Sequence, residues 1–316
     1  MVQQEGAGVI PSLTADMLVD AVPALTQIAN IQAQSFLQLP GAHLQYEDIE
    51  SLAHAIRQAG ADGVQGIVVT QGTDTIEETA FLLDCLLDVP IPVVVTGAMR
   101  NPTVSGADGP ANLLASVRIA SYAPAGHLGC LVVLNDTIHA ARFVRKAHTS
   151  NPGAFQSSSV GAIGWVSETQ VHLPLQPARI PAIRLIKVPE NRRVALLTIT
   201  LGDDGSLLRA ALQAGFDGLV VNAMGGGHVP LAVANAIDAA TALPVVLTSR
   251  TGEGEVLRST YGFEGSEIDL QRRGAIRAGW LDGLKSKALL TLLLRHRYSR
   301  EEIIERFQYY SGGPAT

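Results

Sequence analysis

Thr70, Gln71, Thr73, Asp74 and Thr75 crowd into the stretch VVTQGTDTIEETA, residues 68–80, where a β-branched apolar run stops and a helical pattern starts. Hydroxyls, an amide and a carboxylate gathered at a strand end are the parts of a polar binding site or a nucleophilic centre. A threonine hydroxyl is a weak nucleophile until a neighbouring base takes its proton. A lysine can be that base when burial favours its neutral form and a carboxylate holds it. The chain has only four lysines, Lys146, Lys187, Lys285 and Lys287. Lys146 stands in NDTIHAARFVRKAHT, just past the strand-end LNDT, where its side chain could swing over a neighbouring strand's carboxyl end. Two plainer readings stay open on residue types. Thr73, Asp74 or Thr75 could cap a helix whose first turn holds Glu77 and Glu78, and Lys146 could be a surface lysine in a basic loop with Arg142 and Arg145.

The elements that must position these residues follow one rhythm. Continuously apolar runs at 66–70 (GIVVT), 92–96 (PVVVT), 130–134 (CLVVL), 194–200 (VALLTIT), 218–221 (GLVV) and 244–248 (PVVLT) read as strands covered on both faces. Helical patterns lie between them, in TIEETAFLLDCLL, GPANLLASVRIA, SLLRAALQAG and PLAVANAIDAA. The alternation predicts βαβ units in an α/β fold. The proline-bearing stretch 171–193 is the most linker-like, and the rhythm begins afresh after it. This places a boundary near residue 190, between an N-terminal domain of 1–190 with most of the site and a C-terminal domain of 191–316. In open parallel sheets ligands sit outside the carboxyl ends of the strands, where TQGTDT, TGAMR, LNDT, NAMGGGH and TSRTGEGE all fall. No GxGxxG follows a strand, so GGGHVP and TGEGEV read as turns or substrate loops rather than a dinucleotide site.

Composition narrows the partner. The 316 residues are 47% hydrophobic and 16% charged, which suits a well-buried globular core. A net charge of −6 without a Lys/Arg cluster argues against nucleic acid or an anionic membrane and for a small molecule. Apolar runs too short to span a bilayer, and an opening MVQQEGAGVIPS unlike a signal peptide, give a cytoplasmic expectation. Cys85 and Cys130 lie in apolar segments and read as buried thiols, and the eight histidines form no HExxH or comparable ligand spacing, so no metal is expected.

TQGTDTIEETAFLLD, VTGAMRNPTVSGADGPANLL, LNDTIHAARFVRK and GWLDGLKSKALLTLLL together resemble the bacterial L-asparaginase family of asparaginase/glutaminase amidohydrolases. The resemblance runs through nearly the whole chain. It implies a larger N-terminal parallel-sheet domain with a smaller C-terminal α/β domain, and hydrolysis of a small side-chain amide such as that of L-asparagine. It implies an acyl-threonine intermediate, no cofactor, and a homodimer or homotetramer with sites between subunits. By position it makes Thr73 a catalytic hydroxyl, Lys146 its proton partner, and Asp74 the carboxylate that orients the lysine and meets the substrate's ammonium. It adds Gly41, Ala42, Gly72 and Ala98 to the substrate-binding set, and Glu267 as the acid arriving from a neighbouring subunit.

Three departures stand against the matches. The family's opening strand and TGGTI loop, with the threonine commonly taken as nucleophile, have no counterpart, since residues 1–12 carry no strand run and the matching region starts near GVIPSLTADMLVDAVPAL. The loop tyrosine that follows TGGTI is missing from QQEGAGVIPS. Gly41-Ala42 replaces a polar pair that grips the substrate, leaving backbone N–H groups to bind its carboxylate. NAMGGGHV likewise places Gly226 and His228 where the family has polar contacts. An alternative of another class therefore stands: a noncatalytic small-molecule-binding or oligomeric scaffold that keeps the fold and half of the site.

Overall fold

The computed structural model describes residues 2–4, 8–10, 13–240 and 242–311. The chain forms two compact units that divide at Ala182 and Ile183, inside the proline-bearing stretch.

The N-terminal unit starts with a hairpin of β1 (Val2–Gln4) and β2 (Gly8–Ile10), in antiparallel register with Val2 opposite Ile10. This corrects the expectation that residues 1–12 hold no strand. Antiparallel pairing over three residues needs no long apolar run, so the apolar-run criterion passed over it. The expectation about a loop tyrosine in residues 3–12 falls partly on positions outside the described residues. After α1 (Ala15–Asp20), capped by Thr14, the helix α2 (Tyr46–Ala61) starts in a capping box of Gln45 and Asp48 and buries Ile49, Ala53 and Ile56 on one face.

The main sheet follows. Strands β3 (Ile67–Thr70), β4 (Val93–Thr96) and β5 (Cys130–Leu134) are parallel, joined through α3 (Ile76–Leu86) and α4 (Gly109–Ala120). α4 packs Ala115, Ile119 and Ala120 against Val94, Leu131 and Val133. α3 lies against β4 and β5 and is buried almost all round, with Glu77, Thr79 and Asp84 enclosed beside its apolar residues.

From β5 the direction reverses. Residues Asn135 and Asp136 take φ of 52° and 57° and join β5 to β6 (Thr137–Ala140) by a two-residue turn of the handedness that antiparallel hairpins favour. The LNDT cluster is thus a hairpin turn. After β6 come β7 (Arg145–Lys146), β8 (Phe155–Gln156), β9 (Gly164–Ser167) and β10 (Gln170–His172). The six-stranded sheet has the order β10-β9-β6-β5-β4-β3 and is mixed: the expected parallel strands β3, β4 and β5 are extended by the antiparallel β6, β9 and β10. β7 and β8 form a separate antiparallel ribbon.

The C-terminal unit is a four-stranded parallel sheet, β11 (Val194–Thr198), β12 (Gly218–Ala223), β13 (Val245–Ser249) and β14 (Ile276–Arg277), in that spatial order. α5 (Ser206–Gln213) and α6 (Leu231–Asp238) share one core with it, built on Leu208, Leu219, Val221, Val233, Ile237 and Leu247. α7 (Glu267–Arg272), α8 (Gly283–Arg295) and α9 (Arg300–Gln308) complete the unit. The α/β architecture in two domains, the smaller with a parallel sheet, therefore stands. Cys85 and Cys130 are both buried free thiols.

Candidate active site

The carboxyl ends of β3 and β4 meet in a tight junction. A Cβ added to Gly97, just past β4, would lie 2.5 Å from the carbonyl oxygen of Gln71 and 3.3 Å from Thr73 Cγ2. Glycine is therefore required there, and it lets the loop carrying Ala98 run beside Thr73. That loop is tied down from α4. Asp108 accepts from the backbone N–H groups of Met99 and Arg100, both at 2.9 Å, and Asn112 Nδ2 donates to the Gly97 carbonyl and to Asp108 Oδ2. The Asn112 side-chain oxygen accepts from the Asn135 N–H, which fixes the β5–β6 turn to the same helix.

Residues Thr73–Thr75 form a single 3-10 turn ahead of α3, and none of their side chains makes a capping hydrogen bond to the helix. They point elsewhere. Thr75 Oγ1 donates to the Gly41 carbonyl at 3.1 Å and receives Gln71 Nε2 at 3.3 Å, so Gln71 and Thr75 hold the 41–43 turn against Gly72. A Cβ on Gly41 would sit 3.1 Å from the Gly72 carbonyl oxygen. Gly41, Ala42, Gly72 and Ala98 thus line the loops around Thr73 with backbone and small side chains.

Thr73 and Asp74 turn to Lys146. The lysine Nζ donates to Thr73 Oγ1 at 3.0 Å and to Asp74 Oδ1 at 2.8 Å. Its side chain is 16% exposed, while that of Asp74 is 67% exposed, which leaves the carboxylate room for a second cationic partner. An exposed ion pair contributes only about 0 to 1 kcal/mol to stability, so the pair is not explained by folding. Both plain readings fall here. The capping reading lacks its hydrogen bonds, and the basic-loop reading fails because Lys146 lies on a strand and Arg142 is buried against Asp84 at 3.4 Å. Burial raises the Asp84 carboxyl above the usual carboxylate range, against the pull of Arg142 and the Cys130 N–H.

Glu267 is enclosed within its own unit. Its side chain has no exposure, and Oε1 accepts from the N–H groups of Thr260 (2.7 Å) and Tyr261 (2.6 Å). Oε2 meets His228 Nε2 at 3.2 Å. Burial opposes its charge, but the N–H groups of Tyr261 and Thr260 and the His228 bond outweigh this and hold the carboxyl below its ordinary value. His228 also packs edge-on against Tyr261 and Phe263, with ring centroids 4.9 and 5.1 Å away, which explains a histidine in the NAMGGGHV stretch as packing within this unit.

Sequence reasoning missed Asp108, Asn112 and Thr75 as the residues that set the loops. The ADGPAN stretch carried the signal for the first two, because an Asp at a helix start and an Asn one turn later present side chains to the preceding loop.

Comparison with known proteins gives a consistent pattern. The family model described as "Asparaginase, N-terminal" matches residues 1–179, and the "Glutaminase/Asparaginase C-terminal domain" model matches residues 193–307. The chain is 39% identical over 287 residues to a "Probable L-asparaginase" of Deinococcus radiodurans, covering 90% of this chain and 87% of that protein. It is 32% identical over 310 residues to the "L-asparaginase" of Bacillus licheniformis, covering 94% and 88%. To the "L-asparaginase 2" of Escherichia coli it is 31% identical over 299 residues, covering 93% and 84%.

Proposed function

We propose a mechanism from one premise: this chain belongs to the asparaginase family and is an asparaginase-like amidohydrolase. Its substrate in this reading is L-asparagine or a related small amide, and the reaction passes through an acyl-threonine ester. The observation that carries the reading is the convergence of Thr73 Oγ1 and Asp74 Oδ1 on Lys146 Nζ, within 3.0 and 2.8 Å, from residues more than seventy positions away.

In the acylation step a hydroxyl oxygen bonds to the amide carbon. The proton it loses passes through Thr73 to Lys146 Nζ. The C–N bond then breaks, and Lys146 returns the proton to the nitrogen that leaves as ammonia. Water attacks the ester in the reverse sense, releasing the carboxylic acid and restoring the hydroxyl. Asp74 holds the lysine with one oxygen and meets the substrate's α-ammonium with the exposed remainder of its carboxylate. Backbone groups of the Gly41–Ala42 and Gly72 loops, which carry no competing side chain, receive the substrate's carboxylate. The same reading makes the working form a homo-oligomer, which sedimentation velocity tests.

The functional experiment is an ammonia-release screen of the purified chain across L-asparagine, L-glutamine, their D-forms and small amide derivatives. L-Asparagine is expected to give the highest kcat/KM. Absence of ammonia release from every amide, in a preparation that is folded by circular dichroism, would refute the reading.

A further inference from the structure

The strand that carries Lys146 lies outside the main sheet. β7 pairs with β8 over two residues only, Arg145 with Gln156 and Lys146 with Phe155, and the ribbon shares no ladder with the six-stranded sheet. A two-stranded ribbon of that size is not stable by itself, so tertiary contacts must set the position of the lysine. One of these is polar, buried and directed at the strand opposite Lys146. His139, on β6 of the main sheet, brings Nδ1 to 2.9 Å from Oγ of Ser157, the residue that immediately follows β8. Both residues are almost wholly enclosed, His139 at 4% and Ser157 at 5% exposure. Among the described residues His139 Nε2 has no hydrogen-bond partner, so Ser157 is the polar group that orients the ring.

The Ser157 end of this link is tied down by backbone hydrogen bonds. Its carbonyl accepts from the N–H of Gly161 at 2.7 Å and from that of Val160 at 3.3 Å. Between the ribbon strands the chain is closed by His148, whose Nδ1 accepts from the N–H groups of Ser150 and Asn151, and by a 2.7 Å bond from Ala147 N–H to the Ala154 carbonyl. A continuous path therefore runs from β6 through His139 and Ser157 to β8, across the ladder to Lys146, and on to Thr73 and Asp74.

We propose that His139 and Ser157 are positioning residues for the reaction, a buried clamp that fixes the ribbon so that Lys146 Nζ stays within hydrogen-bond reach of both Thr73 and Asp74. Neither residue touches substrate. The clamp acts on proton transfer and not on substrate binding, because the loops of residues 41–43, 72 and 98 are held by Gln71, Thr75, Asp108 and Asn112 instead. The proposal rests on Lys146 being the proton acceptor.

The test uses the full chain and initial rates of ammonia release from L-asparagine, with wild type, Ser157→Ala, Ser157→Thr, His139→Phe, the double variant and Lys146→Met, each with a thermal melt. Ser157→Ala and His139→Phe are expected to lower kcat by about 10- to 100-fold, the scale of a catalytic group moved by a fraction of its bond length to about 1 Å. KM should stay within about two-fold, because ground-state binding is untouched. Ser157→Thr, which keeps the hydroxyl, should restore most of kcat, and the double variant should lose no more than the single ones, since one bond is broken in each. Wild-type kcat in Ser157→Ala, or a Ser157→Thr variant as impaired as Ser157→Ala, would overturn the clamp. Lys146→Met is the separate control: if it turns over asparagine like wild type, the underlying assignment of Lys146 fails, whatever the serine variants do.

Discussion

Lys146 Nζ reaches Thr73 Oγ1 across 3.0 Å although the two residues lie 73 positions apart, on a two-residue ribbon strand and on the turn after β3. No packing need explains that meeting, since the hydroxyl makes no capping bond to α3. Thr73→Val is therefore expected to leave the melting temperature within a few degrees of wild type while lowering kcat by at least about a hundredfold, the usual scale for lost acid–base assistance. Thr73→Ser, which keeps the oxygen, should retain most of the rate. Parallel rate and melting measurements on the two variants check this, and loss of stability in step with activity would return Thr73 to a structural role.

Asp74→Asn keeps an acceptor for Lys146 and removes the charge offered to the substrate's ammonium. Because the side chain is 67% exposed, folding should change by no more than about 1 kcal/mol. kcat/KM for L-asparagine should fall steeply, and the fall should be smaller for an amide without an α-ammonium group. Steady-state kinetics on the two substrates distinguish this from a general loss of activity.

Asp84 and Arg142 make the opposite kind of pair, with side chains only 5% and 4% exposed. Removing one partner leaves the other charge buried without compensation. Asp84→Ala is expected to cost about 3 to 5 kcal/mol, read as a shift of the urea midpoint. The double change Asp84→Leu/Arg142→Met should recover much of that loss.

His139 links stability to pH. Burial lowers its pKa from 6.5 to about 4. The unfolded chain therefore binds a proton near pH 6.5 that the folded chain refuses until about pH 4. Stability from this group is complete above the unfolded value, is lost as pH falls from about 6.5 to about 4, and is level below that. The loss amounts to roughly 3 kcal/mol at about 1.4 kcal/mol per unit. Urea titrations at pH 7.5 and 4.5 should show a smaller drop for His139→Gln than for wild type.

The strands that hold the site were legible because apolar runs such as Val93–Val95 and Cys130–Leu134 are buried on both faces and leave an unbroken apolar signature. The antiparallel half was not. β9 buries one face only, with Trp165 exposed, and β7 and β8 are two residues each, too short for any period to show. Thr73, Asp74 and Lys146 could be picked out because hydroxyl, carboxylate and a rare lysine stand at strand ends. His139 and Ser157 could not, since their partnership depends on how a short ribbon packs against β6 and not on any local spacing. The enclosure of Glu267 was not legible for a related reason. An acid in a glycine-bearing loop reads as exposed, whereas the backbone N–H groups of Thr260 and Tyr261 draw it fully inside.

The most direct test of the account is the rate of ammonia release from L-asparagine by Lys146→Met. Methionine keeps the length and apolar stem of the lysine but can neither accept a proton nor bond to Thr73 and Asp74. kcat is expected to fall by at least about a thousandfold, within the range for losing a general base, with a circular dichroism spectrum and melting temperature close to wild type. A folded Lys146→Met protein that releases ammonia at the wild-type rate would contradict it.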